Sequence, residues 1–163
     1  MAENVLSRVK KSLFEKKKKE KQEKKRNIAV FVDGPNILRK ELQIDLEEVK
    51  KVLSNFGNIK IGKVFLNQYA SDKLLEAVAN QGFEAVIAVG DVDVYMAVDA
   101  TEAVFNPSIN TIAFVTRDSD FLPAVVKAKS HGKDTIVVLA EEASAAALKN
   151  TADYVIVLGK RKA

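Results

Sequence analysis

No cysteine and no tryptophan occur in the 163-residue chain, and histidine occurs once. Without cysteine there is neither a disulfide framework nor a thiolate metal site. A single histidine argues against His-based zinc sites and His-dependent triads. No run approaches the roughly 18 apolar residues that a membrane helix needs, and no apolar signal-peptide core follows the N-terminus. A soluble, cytoplasmic protein with no membrane span is therefore expected, and catalysis in it has to rest on carboxylates. What is present, 47% apolar and 29% charged residues at a formal charge of +4, fits one globular domain.

The charge is unevenly spread. Residues 1–26 carry eleven Lys/Arg against four Glu, a net +7, which leaves −3 on the remainder. A basic arm thus precedes a mildly acidic body, read as domain 27–160. Val5, Val9 and Leu13 recur at helical i, i+4 spacing, so residues 4–14 are expected to form an amphipathic helix. The arm reads as a solvated tail or a dimer-contacting helix, with RNA-backbone contact or a membrane surface as alternatives.

From Asn27 the pattern alternates. Apolar runs at 28–32, 59–66, 84–89, 111–116, 135–139 and 154–158 read as strands. Between them lie helical stretches. One is capped by Asp45, with Leu46, Val49, Val52, Leu53 and Phe56 on one face, and another is opened by Ser71. A third shows Val94, Ala97, Val98, Thr101, Val104 and Phe105 as its expected buried face, and two more span 121–130 and 141–149. Strands alternating with helices predict a three-layer α/β/α sandwich on a mostly parallel sheet of five or six strands.

Ligands in such folds bind at the carboxyl ends of the strands. Three strands run into acidic junctions there: Asp33-Gly34-Pro35-Asn36, Gly90-Asp91-Val92-Asp93, and Thr116-Arg117-Asp118-Ser119-Asp120. Converging carboxylates repel unless a cation neutralises them, and hard oxygen donors suit Mg²⁺ or Mn²⁺. Each Asp also has a helix-cap reading. Asp33 is the least cap-like, because Gly-Pro follows it; Gly34 is expected to supply backbone freedom. If the chain is still extended at Asp118, then Asp118 and Asp120 point the same way and share a metal. Otherwise Asp118 or Ser119 caps and Asp120 complements the helix end. On the helical wheel Asp99 falls opposite the expected buried face and Asp93 on a flank, favouring Asp93 as ligand. Asp91 either joins it or begins the turn. No phosphate-binding Gly-rich loop is present. His131 reads as a helix C-terminal partner, and Tyr69, in Asn67-Gln68-Tyr69, as packing or a contact to a base or ribose.

Taken in order, Val30-Phe-Val-Asp33-Gly-Pro-Asn36, Val92-Asp93-Val94 with Ala97-Val98-Asp99-Ala100, and Val115-Thr-Arg-Asp118-Ser-Asp120-Phe121 resemble the NYN domain of the PIN-like nuclease superfamily. Ser144, Leu148 and Ala152-Asp153-Tyr154 look like its C-terminal section. The resemblance implies a PIN-like, Rossmann-like parallel sheet and a divalent-metal ribonuclease site with Asp33, Asp93, Asp118 and Asp120 as catalytic and metal-holding residues. Asp99 matches a family acid, which the wheel argument disputes, and Asp91 is a further candidate ligand. Asn36 would order the first loop or the substrate, and Arg117 and Ser119 would contact it. Two departures stand out: Gly90-Asp91 where the family often has Lys-Gly, and Arg117 where it often has Gly. Arg117 would restore a phosphate contact that the missing Lys removes. Lys16, Lys17, Lys18 and Lys19 of the arm would hold the backbone of single-stranded RNA. Two other readings remain open at this point: a non-catalytic RNA-binding or scaffolding domain, and hydrolysis of phosphate in a small nucleotide.

Overall fold

Five consecutive apolar residues, Ile28 to Val32, have almost no solvent exposure, as expected of a strand covered on both faces. They form the middle of β1 (Arg26–Asp33). The computed structural model describes residues 2–23, 26–37, 45–142 and 145–159. β1 pairs in parallel with β2 (Gly57–Asn67) on one side and β4 (Thr111–Val115) on the other. β3 (Glu84–Ala88) adds outside β2, and β5 (Asp134–Leu139) and β6 (Tyr154–Val157) add outside β4. The sheet is parallel throughout, in the order β3-β2-β1-β4-β5-β6. That is the doubly wound order, whose direction of winding reverses between β1 and β4.

Strand alternation divides the core in two. Ile28, Val30 and Val32 face Leu46, Val49 and Leu53 of α3 (Leu46–Leu53) and Val78 of α4 (Asp72–Asn80). Ala29 and Phe31 face α5 (Val92–Val104), α6 (Leu122–Ser130) and α7 (Ala146–Thr151). Asp45 and Ser71 cap α3 and α4 through their side chains, as their positions predict. A short helix, α2 (Gly34–Ile37), follows β1 directly.

Three expectations need correction. The last helix does not span 141–149: Ala145 adopts a left-handed conformation, φ 55° and ψ 49°, so α7 begins only after it. The first helix is longer than 4–14. α1 (Ala2–Glu23) continues through the Lys/Glu-rich stretch, where nothing but good helix formers follow and no Gly or Pro interrupts. Its side chains at 4–16 are all exposed.

The third correction concerns α5. Its buried residues are Met96, Ala100, Ala103 and Val104, an i, i+4, i+7, i+8 set. Val94, Val98 and Phe105, expected inside, are 57%, 61% and 60% exposed. α5 crosses over β1 as it carries the chain from β3 to β4. Ala100 and Ala103 let its axis come close to the sheet, which bulkier valines would prevent. Exchanging the two faces in thought gives a direct test. Ala100→Leu overpacks this contact at a cost of about 1–3 kcal/mol, and thermal unfolding should move down by several degrees. Val98→Ser should stay within about 0.5 kcal/mol of wild type.

Candidate metal centre

The register that sets Val32 beside Val115 delivers Asp33 and Thr116 to the same edge of the sheet, one residue further on. Asp33 is fully buried, as is Thr116, and the Thr116 hydroxyl donates to Asp33 Oδ2 at 2.9 Å. The same hydroxyl oxygen accepts from the backbone N–H of Asp118 at 3.1 Å. One buried hydroxyl thus ties the end of β1 to the segment leaving β4. Gly34 is required for a different reason than backbone freedom, for its φ is not positive. A Cβ there would lie 2.4 Å from the Phe65 carbonyl oxygen and 2.5 Å from Leu66 Cδ2. Only glycine lets β1 leave Asp33 this close to β2.

Asp91 and Asp118 both act as caps. Asp91 Oδ1 accepts from the N–H of Asp93 and Asp118 Oδ1 from the N–H of Asp120, each at 2.9 Å. Gly90, at φ 103°, turns the chain from β3 into the first of these caps. Capping does not remove Asp118 from the site. One carboxylate oxygen from each of Asp33, Asp93 and Asp118 lies within 4.8 Å of the other two. That span is close to the reach of two oxygens across one divalent ion, about twice 2.0–2.6 Å. The cluster sits outside the carboxyl ends of β1 and β4, where the winding reverses.

Electrostatics bear the mark of this convergence. The Asp93 carboxyl is pushed up to about 6, first by burial, then by the charges of Asp33, Asp118 and Asp91, and by a hydrogen bond with Asp118. Other acids of the body have cations beside them: Lys63 lies 3.0 Å from Asp99, Arg26 3.2 Å from Asp134, and Lys129 3.5 Å from Asp153. Asp93 instead faces the acids Asp33, Asp118 and Asp91. Three hard oxygen donors so placed fit a divalent cation by charge and by donor type.

The remaining candidates fall elsewhere. Asp120 lies outside this group and is exposed, in a 3-10 turn (Ser119–Phe121) that leads into α6. The turn ends the extended chain at Asp118, so the two side chains no longer share a direction. Asp91 is an exposed cap. Asp99, lower on α5, faces β2 and is held by Lys63 in a half-buried pair. Arg117 and Ser119 are exposed on either side of Asp118. Lys16 is exposed on α1, whereas the side chains of Lys17, Lys18, Lys19 and Asn36, and all of Ser144, lie outside the described residues. His131 caps the C-terminal end of α6, its Nδ1 2.9 Å from the Lys127 carbonyl oxygen. Sequence reasoning passed over Thr116 as a strand end. Its place one step past the partner of Val32 was the available signal.

A carboxyl whose folded pKa is raised holds its proton more tightly in the folded than in the unfolded chain. Asp93 therefore favours folding below the ordinary carboxylate range, and this contribution is lost as pH rises through about 6. In cation-free protein near neutral pH, Asp93→Asn should raise the melting temperature, and the gain should vanish near pH 4. Divalent-cation binding to wild type, followed by thermal shift, should weaken as pH falls below about 6. Thr116→Val keeps the shape and deletes both hydrogen bonds, so cation affinity should fall about 10–100-fold with the fold retained.

The NYN domain family matches residues 27–159. Uncharacterized protein MJ0482 of Methanocaldococcus jannaschii is 62% identical over 148 residues, covering 91% of this chain and 61% of that protein. The chain therefore spans less than two thirds of that relative's length. The crystal structure of VPA0982 from Vibrio parahaemolyticus, a protein of unknown function, superposes with a TM-score of 0.73 at 21% identity, covering 83% of this chain and 94% of that one. That likeness concerns the fold: a parallel sheet with helices on both faces. With the sheet, apart from the first residue of β1, and the three clustered carboxylates inside the matched span, the chain belongs to the NYN domain family of the PIN-like superfamily.

Proposed function

We propose that the chain is a divalent-metal-dependent ribonuclease that hydrolyses phosphodiester bonds of single-stranded RNA, with Mg²⁺ or Mn²⁺ at Asp33, Asp93 and Asp118. The observation that carries this reading is the convergence of those three carboxylates, from three separate segments, on the switch point of the sheet. A bound divalent cation supplies charge neutralisation and a water of lowered pKa, so no protein nucleophile is needed. Asp33 offers a rigid oxygen, because its carboxylate is buried and oriented by Thr116. Asp118 is held by its own cap and by the Thr116 hydroxyl. Asp93 rides on the first turn of α5 and is the acid whose proton a cation would displace near neutrality.

Substrate contacts are assigned to the exposed groups around the cluster. The Arg117 guanidinium, in the segment between Thr116 and Asp118, suits bidentate pairing with a phosphate next to the scissile one. Ser119 offers a hydroxyl on the same turn, and Asn36, three residues after Asp33 in the sequence, is assigned to the substrate as well. The basic arm, Lys16 to Lys19 above all, holds the RNA backbone against the repulsion of an acidic body. Asp120 and Asp99 keep supporting roles: one at the start of α6, the other in the ion pair with Lys63. A cytoplasmic location belongs to the same reading.

Labelled single-stranded RNA incubated with Mn²⁺ tests it directly. Asp118→Asn preserves the capping oxygen and removes a charged ligand, so cleavage should be abolished while the melting temperature and RNA affinity stay close to wild type. Asp99→Asn and Asp120→Asn should retain measurable cleavage. No cleavage by wild type under these conditions would overturn the proposal. Deleting the arm should weaken RNA binding and flatten the slope of log affinity against log salt, by about 0.7 for each phosphate that the arm no longer neutralises. Cleavage at saturating RNA should persist, because no proposed ligand lies in the arm.

A further inference from the structure

The most exposed large hydrophobic side chain among the described residues is an aromatic one at the working edge of the sheet. Tyr69, 84% exposed, stands in the turn that follows β2. The turn is not loose. Asn67 Oδ1 accepts from the N–H of Tyr69 at 3.0 Å, and the Asn67 carbonyl accepts from the N–H of Ala70 at 3.1 Å. A fixed backbone thus holds a ring with little to pack on. Beside it lies an open cavity of about 310 Å³, lined by Gly34, Pro35, Leu66, Asn67, Tyr69 and Leu74 among others. Its walls are largely apolar, and Asn67 Nδ2 has no hydrogen-bond partner among the described residues. Apolar walls with a few placed polar groups are what a flat heteroaromatic ligand requires.

Position ties this cavity to the metal centre. Asp33 pairs with Phe65 across the β1–β2 ladder, so Asn67 lies two residues, about 7 Å, beyond Asp33 along the strand direction. Gly34 and Pro35, which wall the cavity, are the residues that immediately follow Asp33. The cavity opens on the β2 side of the cluster, and Arg117 lies on the β4 side. A strand crossing the switch point would meet a phosphate-binding cation at Arg117, the carboxylates next, and the cavity last.

We propose that this cavity is a nucleobase subsite: a base of the RNA strand stacks on Tyr69, enters between Pro35 and Leu74, and meets Asn67 Nδ2 with an acceptor on its edge. The proposal rests on the ribonuclease reading for the identity of the strand. Stacking on a preplaced aromatic tolerates any base, so the subsite would position the strand and leave sequence preference to Asn67.

Binding is measured by anisotropy with labelled single-stranded RNA and the whole 163-residue chain carrying Asp118→Asn, so that no strand is consumed. Adding Tyr69→Ala should raise Kd about tenfold, whereas Tyr69→Phe should stay within about twofold. Unchanged melting temperatures check the fold, as expected at so exposed a position. An abasic residue moved along the strand should weaken binding strongly at one position and cause no further loss there in Tyr69→Ala. Equal affinity of Tyr69→Ala and its parent, or abasic losses that ignore Tyr69, would overturn the subsite. AMP and UMP should compete only weakly; Tyr69-dependent binding of either, tighter than that of the strand, would reassign the cavity to free nucleotides and overturn the proposal as stated. Cleavage by the chain with Asp118 intact is scored separately. Absent cleavage with an intact Tyr69-dependent abasic position removes the ribonuclease reading alone, and the reverse pattern removes the subsite alone.

Discussion

A carboxylate with no exposed surface, at the end of the central strand, sets the terms for everything around it. Asp33 reaches this position because the strand before it is apolar without interruption and the glycine after it admits the backbone of β2. Burying such a charge costs several kcal/mol unless hydrogen bonds or a cation offset it. Thr116 contributes one hydrogen bond from the neighbouring strand. Asp93 and Asp118 then add to the electrostatic load instead of relieving it, as the raised Asp93 pKa records. Three acids that meet at one point suit a divalent cation shared between them.

The sheet topology is what brings these acids together. In the order β3-β2-β1-β4-β5-β6, helices leaving β1 and β4 go to opposite faces, and a crevice opens between their ends. Asp33 and Asp118 flank the crevice directly. Asp93 arrives from β3, two strands away, and only because α5 lies back across β1. The alanine-rich inner face of α5 therefore has a consequence for the site as well as for the core: it sets how near the first turn of the helix stands to β1.

Capping does not take Asp118 out of the acidic cluster. Asp118 uses one oxygen to start the turn before α6 and still offers a carboxylate oxygen to the cluster. Asp91 caps as well, yet remains exposed and adds only its charge. The difference lies in the strands they follow. β4 is central and ends beside Asp33, whereas β3 is the sheet edge, so a cap at its end stands away from the switch point.

The sequence alone determined the six strands, their alternation with helices, the caps at Asp45 and Ser71, and the acidic junctions at the strand ends. All of these are local: apolar runs bounded by turn residues, with side chains that satisfy neighbouring N–H groups. Tertiary structure decided the rest. The inner face of α5 was misread because valine outweighs alanine in apolar periodicity, while close approach to a sheet favours alanine. Ala145 in a left-handed conformation shortened the last helix, and no local pattern announces that. Whether Asp120 or Asp99 joins the cluster depended on where a turn begins and on a lysine 36 residues away in the chain. Thr116 gained its place from register alone, since only the pairing of β1 with β4 brings its hydroxyl to Asp33. Spacing along the chain identifies which acids stand at strand ends; distances between strands, set by packing, select the ones that meet.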